Sequence, residues 1–252
     1  MAFSTLKMHD RHEGYRVKKG KFFDLPMRLL LIGKSQLAGK TNLVGNLILR
    51  PYDQTDVSGK DCYANNFPGR NIYIVCPSTD LDSKWQTIIR DKNIPFGNVY
   101  TKYDEDDMTA LYDRLVADFH ESVGAGREPE HTLLILDDCS FSGALKDKMF
   151  GILTKIACNG RHANISMIVT AQKYSAVQTT IRENATGCIF FECSNKQLDL
   201  IMEDHCNIPK KDFIRMFRDA TKEKHTYMVI NYSNDPDDRI MDCTFTPILY
   251  DY

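Results

Sequence analysis

A chain of 252 residues with 42% hydrophobic content can bury a sizeable core in one large α/β domain, and a second independent domain is not expected. The formal charge of −2 excludes a globally basic nucleic-acid binder, although segments 1–24 and 209–224 each hold six Lys/Arg against three Asp/Glu and read as local basic surfaces. No apolar run approaches the ~20 residues that span a bilayer and no signal-peptide core opens the chain, so a soluble protein that is not exported by the usual route is expected.

Residues 1–25 are polar, mixed in charge and weakly periodic, and read as an arm that orders on a partner, ahead of a domain over 26–252. The apolar run 27–32 predicts a central parallel strand, and 42–49 predicts a helix with Leu43, Leu47 and Ile48 on one side. Between them lies Gly33-Lys34-Ser35-Gln36-Leu37-Ala38-Gly39-Lys40-Thr41-Asn42, which reads as a phosphate-binding loop. Small residues let backbone N–H groups curl around phosphates, Lys40 reaches the β/γ oxygens, and the Thr41 hydroxyl suits Mg²⁺. The spacing departs from the usual motif: Lys34 stands where the first glycine is expected, and Gly33 is one residue early. Either the loop carries an extra residue or Gly33 ends the strand.

Segment 51–70, rich in Asp, Asn, Gly and Pro, predicts a long loop. A second buried strand follows at 71–75, ended by Cys76-Pro77-Ser78, then a helix at 81–90 and a short strand at 98–100. Asp104-Glu105-Asp106-Asp107 precedes a helical pattern at 108–120, where acidic residues suit the positive end of the helix dipole better than they argue for a metal. After a loop at 124–130 comes Thr132-Leu133-Leu134-Ile135-Leu136-Asp137-Asp138, an apolar strand ending in two carboxylates. This is the Walker B pattern: Asp137 supports the Mg²⁺ shell, and Asp138 is placed to orient or deprotonate an attacking water.

A helix at 146–158 uses Met149, Ile152, Leu153 and Ile156 as its apolar face. The turn Asn159-Gly160-Arg161-His162 leads into a strand at 165–169 that ends Thr170-Ala171-Gln172. Gln172 is a candidate sensor of the γ-phosphate, and Arg161 a candidate arginine finger. Beyond lie a helix at 175–184 containing Arg182, a strand at 187–192, two helices over 195–218 broken at Pro209, a strand at 225–232, a turn at 235–238 and an edge strand at 240–245. No internal repeat or low-complexity linker interrupts the series. The eight cysteines include no C-x-x-C pair and read as free thiols in a reducing compartment; a zinc site from Cys193, His205 and Cys206 would fit no standard ligand spacing.

With the loop, Asp137-Asp138, the Gly160-Arg161-His162 turn and the strand ending in Thr170-Ala171-Gln172 in this order, the chain resembles the FtsK/HerA superfamily of DNA-pumping ATPases. Within it, size and motifs are similar to the genome-packaging ATPases of large eukaryotic DNA viruses and virophages. Residues 159–172 carry most of the likeness, with Ile181-Arg182-Glu183-Asn184-Ala185 a second similar segment. The resemblance implies a RecA-like fold, ATP and Mg²⁺ as cofactors, a homo-oligomeric ring of six or five subunits, double-stranded DNA through its centre and a capsid or vertex component as partner. It further implies an arginine supplied in trans, best matched by Arg161 with Arg182 second, and residence in the host cytoplasm and the virion. Lys60, Arg70, Lys146 and Lys148 are the basic residues offered for DNA contact. Two other functions share these motifs: a nucleoside or nucleotide kinase, and a nucleotide-dependent assembly protein.

Overall fold

The computed structural model describes residues 15–34, 38–49, 62–139 and 151–249. Expectations for Ser35, Gln36, Leu37, Lys60, Lys146, Lys148 and Met149 lie outside those residues. The described elements run β1 (Arg28–Ile32), α1 (Lys40–Ile48), β2 (Ile72–Val75), α2 (Ser83–Lys92), β3 (Val99–Tyr100), α3 (Glu105–Gly124), β4 (Thr132–Leu136) and α4 (Ile152–Asn159). After these come β5 (Ile165–Ala171), α5 (Thr179–Glu183), β6 (Gly187–Phe190), α6 (Asn195–His205), α7 (Lys210–Ala220), β7 (Met228–Asn231) and β8 (Ile240–Met241).

The strands form one sheet in the order β3-β2-β4-β5-β1-β6-β7-β8. The first six are parallel, while β7 is antiparallel to β6 and β8 is antiparallel to β7. Strands covered by helices on both faces must be apolar at every position, and β1, β4 and β5 are buried throughout. Alternate side chains feed two cores. Leu30 and Ile32 face the layer containing residues of α3, α4, α6 and α7, whereas Leu29 and Leu31 face that of α1 and α2.

Two local signals work as physical chemistry requires. Asp104 caps α3 by accepting from the Asp106 and Asp107 N–H groups at 3.0 and 3.1 Å, which gives the acidic run its role. Pro209, lacking an N–H, stands at the start of α7 rather than within a helix. The helix expected at 175–184 divides into a 3₁₀ turn, Tyr174–Ala176, and the short α5. Residues 15–25 lie against the domain: Val17 pairs with Leu25, and Phe23 and Leu25 are buried in the α1/α2 core. Gly187 makes room for this packing, since a Cβ there would sit 2.1 Å from the Phe23 ring.

Candidate nucleotide site

In a parallel sheet the carboxyl ends of the strands open toward the loops, and ligands collect where neighbouring connections diverge. Here β5 lies between β4 and β1, so the segments leaving these three strands meet at one edge. The loop after β1 brings Lys40, the turn after β4 brings Asp137 and Asp138, and the end of β5 brings Thr170 and Gln172.

Gly33 continues the ladder beyond β1, its N–H donating to Ala171 O at 3.0 Å. Glycine is required there by crowding: a Cβ would fall 2.7 Å from the Ala38 Cβ and 2.8 Å from that of Phe191. Gly39 is required by conformation, since its φ of 79° lies in the left-handed region. Its carbonyl accepts from Leu43 N–H at 3.0 Å and starts α1. Lys40 Nζ donates back across the loop to Gly33 O at 2.7 Å. Burial lowers the Lys40 pKa, and the fields of Asp138 and Asp137 oppose that shift. Thr41 and Asn42 open α1 and line a cleft shared with Ser83, Lys84 and Thr87 of α2. Lys34 is exposed and pairs with Glu192 at 3.9 Å.

The two carboxylates have different surroundings. Asp137 is buried; Trp85 Nε1–H donates to its Oδ2 at 2.7 Å, the Cys76 thiol approaches the same oxygen at 3.6 Å, and the Thr170 hydroxyl donates to Oδ1. Asp138 has a φ of 51°, a left-handed conformation that Asp tolerates better than most side chains but that still costs energy. The Gln172 amide donates to its Oδ1 at 3.1 Å and reaches Oδ2 at 3.4 Å. Thr170 joins the pair, because the same hydroxyl accepts from the Asp138 N–H at 3.2 Å. Asp137 and Thr41 supply the hard oxygen donors that suit Mg²⁺, and the lysine beside them suits a polyphosphate.

Of the candidate residues, the structure brings Gly33, Ala38, Gly39, Lys40, Thr41, Asp137, Asp138 and Gln172 to this edge. It places the two arginines elsewhere. Arg161 is exposed in the 3₁₀ turn ahead of β5, at the amino edge of the sheet. The seven residues of β5, at about 3.3 Å each, separate it from Gln172 by roughly 20 Å. It lies near Arg28, whose pKa is pushed down to about 10 by burial and then by the positive field of Arg161. Arg182 is committed to a structural cluster: it pairs with Asp204 at 2.6 Å, donates to Thr179 and stacks over the Tyr174 ring at 4.7 Å. His205, in the same cluster, uses both ring nitrogens on the hydroxyls of Tyr174 and Tyr232, and Cys206 donates to Ile208 O. Among the described residues no group of three or more His, Cys, Asp or Glu could hold a metal ion.

Trp85, Cys76 and Thr170 are the site residues that the sequence did not disclose. Thr170 sits inside a motif, two residues before Gln172, and its strand position could have flagged it. Trp85 reads as an apolar core residue of α2, and nothing in its spacing connects it to Asp137.

A lysine at the start of α1, facing two carboxylates across an intervening strand, is the arrangement of a P-loop NTPase. The sequence identifies the family as well. The chain belongs to the family described as "Poxvirus A32 protein", whose model matches residues 68–247. That match takes in Asp137, Asp138 and Gln172, whereas Gly33, Gly39, Lys40 and Thr41 precede it. No curated protein matches the sequence. Among solved structures, the genome-packaging NTPase B204 of Sulfolobus turreted icosahedral virus 2 in complex with AMP matches with a TM-score of 0.53 at 13% identity, over 85% of this chain and 95% of that one. Its complex with AMPPCP gives 0.51 at 16% identity, over 82% and 93%. The pCW3 conjugation coupling protein TcpA, bound to ATPγS, gives 0.51 at 12%, over 83% of this chain and 58% of that one. At these identities the likeness establishes the fold. Among the described residues no helix is long and apolar enough to cross a membrane.

Proposed function

We propose that this chain is the ATP-hydrolysing subunit of a motor that drives double-stranded viral DNA into a capsid. The observation that carries the hydrolytic half is the Gln172 amide on the carboxylate of Asp138, beside Lys40. That pair has the parts needed to orient a water and to report on it. Membership of the poxvirus A32 family and the shared fold of the packaging NTPase B204 support the DNA half.

In this reading the phosphates lie on the amides that open α1, with Lys40 stabilising charge on the β/γ oxygens. Thr41 and Asp137 are the residues that would hold Mg²⁺, which would supply charge neutralisation for the phosphates when bound. Asp138 orients the attacking water and accepts its proton, while Gln172 fixes the carboxylate and couples its state to β5. The nucleoside occupies the cleft beside the loop, about 260 Å³, lined by Ala38, Phe191 and the turn from Thr221 to Thr226. His225 of that turn lies close to the loop, its Nδ1 3.3 Å from where a Gly39 side chain would begin.

Arg161 cannot serve its own site across the length of β5. Exposed at the opposite edge, it suits the nucleotide of a neighbouring subunit in a homo-oligomeric ring of six or five. Double-stranded DNA and a capsid or vertex component complete the assembly, in the host cytoplasm and the virion. The ATPase unit is 26–252, with residues 15–25 packed against its core.

The test is steady-state ATP hydrolysis with and without long double-stranded DNA, for the native chain, Asp138→Asn and Arg161→Ala, each checked for folding. DNA should raise native turnover several-fold, both variants should lose it, and mixing them should restore part of it. Turnover indifferent to DNA, with phosphate transferred to a nucleoside acceptor, would replace the motor with a kinase.

A further inference from the structure

Trp85 is the only tryptophan in the chain. It lies in α2, outside every nucleotide-binding motif, and is fully buried. Hydrophobicity alone would account for it, except that its one polar atom is spent on Asp137 Oδ2, at 2.7 Å. Indole nitrogen can only donate, and a ring with two torsions locked by packing donates along a fixed line. A bond of this kind to an ionised carboxylate is stronger than one between neutral partners.

The other donors divide the carboxylate unequally. Cys76 approaches Oδ2, which Trp85 already holds, and only Thr170 reaches Oδ1. Each oxygen accepts about two hydrogen bonds, so Oδ1 keeps the remaining capacity. The helix behind Trp85 is also tied to the loop. α2 packs closely on α1, where a Cβ at Gly45 would meet Ile88 Cδ1 at 3.1 Å, and α1 is the helix that begins with Lys40 and Thr41.

We propose that Trp85 is the positioning residue of Asp137. It holds Oδ2 inside the protein so that Oδ1 is the oxygen offered to the Mg²⁺ shell, and the α1–α2 contact keeps that oxygen in register with Thr41. The inference rests on the assignment of Asp137 to the Mg²⁺ side of the site.

Because the chain has a single tryptophan, its emission reports this bond without a label. The experiment titrates the native full-length chain with ADP, in Mg²⁺ and in a chelator, while following fluorescence, and repeats it with Asp137→Asn. In parallel, Trp85→Phe keeps the ring packing, removes the N–H donor and is assayed for ATP hydrolysis against Mg²⁺ concentration. Outer-shell partners of metal ligands typically contribute about 10–100-fold in metal affinity. The Mg²⁺ needed for half-maximal turnover should therefore rise about tenfold in Trp85→Phe, with the KM for ATP at saturating Mg²⁺ changing less than about twofold. The native emission should respond to ADP with Mg²⁺ and not to ADP in chelator, and Asp137→Asn should abolish the difference. Identical emission responses with and without Mg²⁺, or a folded Trp85→Phe with native Mg²⁺ dependence, would overturn the proposal. Should Trp85→Phe not fold, the native fluorescence decides alone. A native chain that neither binds ADP nor hydrolyses ATP would overturn the ATPase reading itself, which separates the two failures.

Discussion

Replacing Thr170 by valine removes one hydroxyl while preserving shape and β-branching. In the folded chain this fully buried hydroxyl donates to Asp137 Oδ1 and accepts from the Asp138 N–H at 3.2 Å. A hydrogen bond to a charged group contributes about 1.5–3 kcal/mol, and the longer bond to the amide adds roughly 0.5–1. The added methyl recovers about 1 kcal/mol through apolar burial. The net expectation is a loss of about 1–3 kcal/mol, measured by urea unfolding with the slope unchanged. In a chain of this length that corresponds to a fall in Tm of about 2–12 °C. The catalytic effect has a separate cause: the hydroxyl helps hold Asp138 in its left-handed conformation, and its loss releases the carboxylate from the position Gln172 reads. Turnover should fall about 10–100-fold, equivalent to roughly 1.4–2.7 kcal/mol of barrier. Thr170→Ser keeps the hydroxyl and should retain most of both properties. A folded Thr170→Val within about 0.5 kcal/mol of native stability and with native turnover would refute this account, as would a serine variant as impaired as the valine.

Gln172→Glu sets a carboxylate where an amide donor now faces Asp138, at 3.1 Å. Its kcat for ATP should fall about 100-fold or more with KM changing less than about threefold, read from initial rates at saturating Mg²⁺. Arg182→Ala and Arg161→Ala should separate in thermal melts. The first strands Asp204 beside a buried cluster and should cost about 3 kcal/mol, while the exposed Arg161 should leave stability within about 0.5. For His205, burial depresses the pKa from 6.5 to about 4, against the pull of the Asp204 carboxylate and with help from Arg182. Between those values the unfolded chain binds the proton that the folded chain refuses, so this stability is fully present above pH 6.5 and is lost as pH falls toward 4. The loss should amount to roughly 3 kcal/mol, and a folded His205→Gln should show a flatter Tm profile over that window.

The strands and helices were legible because their constraints are local. Strands buried on both faces must be apolar throughout, which made 27–32, 71–75, 132–136 and 165–169 readable. Asp104 and Pro209 marked helix starts through their own hydrogen-bonding chemistry. What the pattern blurred was length. The final strands expected at 225–232 and 240–245 shrink to Met228–Asn231 and Ile240–Met241, because turns interrupt both runs. The residues 15–25 illustrate the opposite error: polar composition suggested an arm, but Phe23 and Leu25, spaced two apart, are enough to strap the segment to the core.

The site divides along the same line. The residues read from motif, namely Lys40, Thr41, Asp137, Asp138 and Gln172, meet at one edge because each follows the carboxyl end of a neighbouring parallel strand. Residues that serve those residues could not be read that way. Thr170 and Trp85 reach Asp137 from 33 and 52 positions away, through partners that only the sheet and the packing of α2 bring together. The arginines make the point most sharply. In sequence, Arg161 and Arg182 are two cations on either side of β5, and both suit a γ-phosphate. In the fold, one is buried against Asp204 and Tyr174, while the other projects from the amino edge beside Arg28. A cation that is already paired and stacked must break those contacts before it can stabilise a neighbour's phosphate; one held near another arginine relieves repulsion by doing so. Burial and partner, rather than motif, therefore separate the two, and leave Arg161 the better fit to the trans role proposed above.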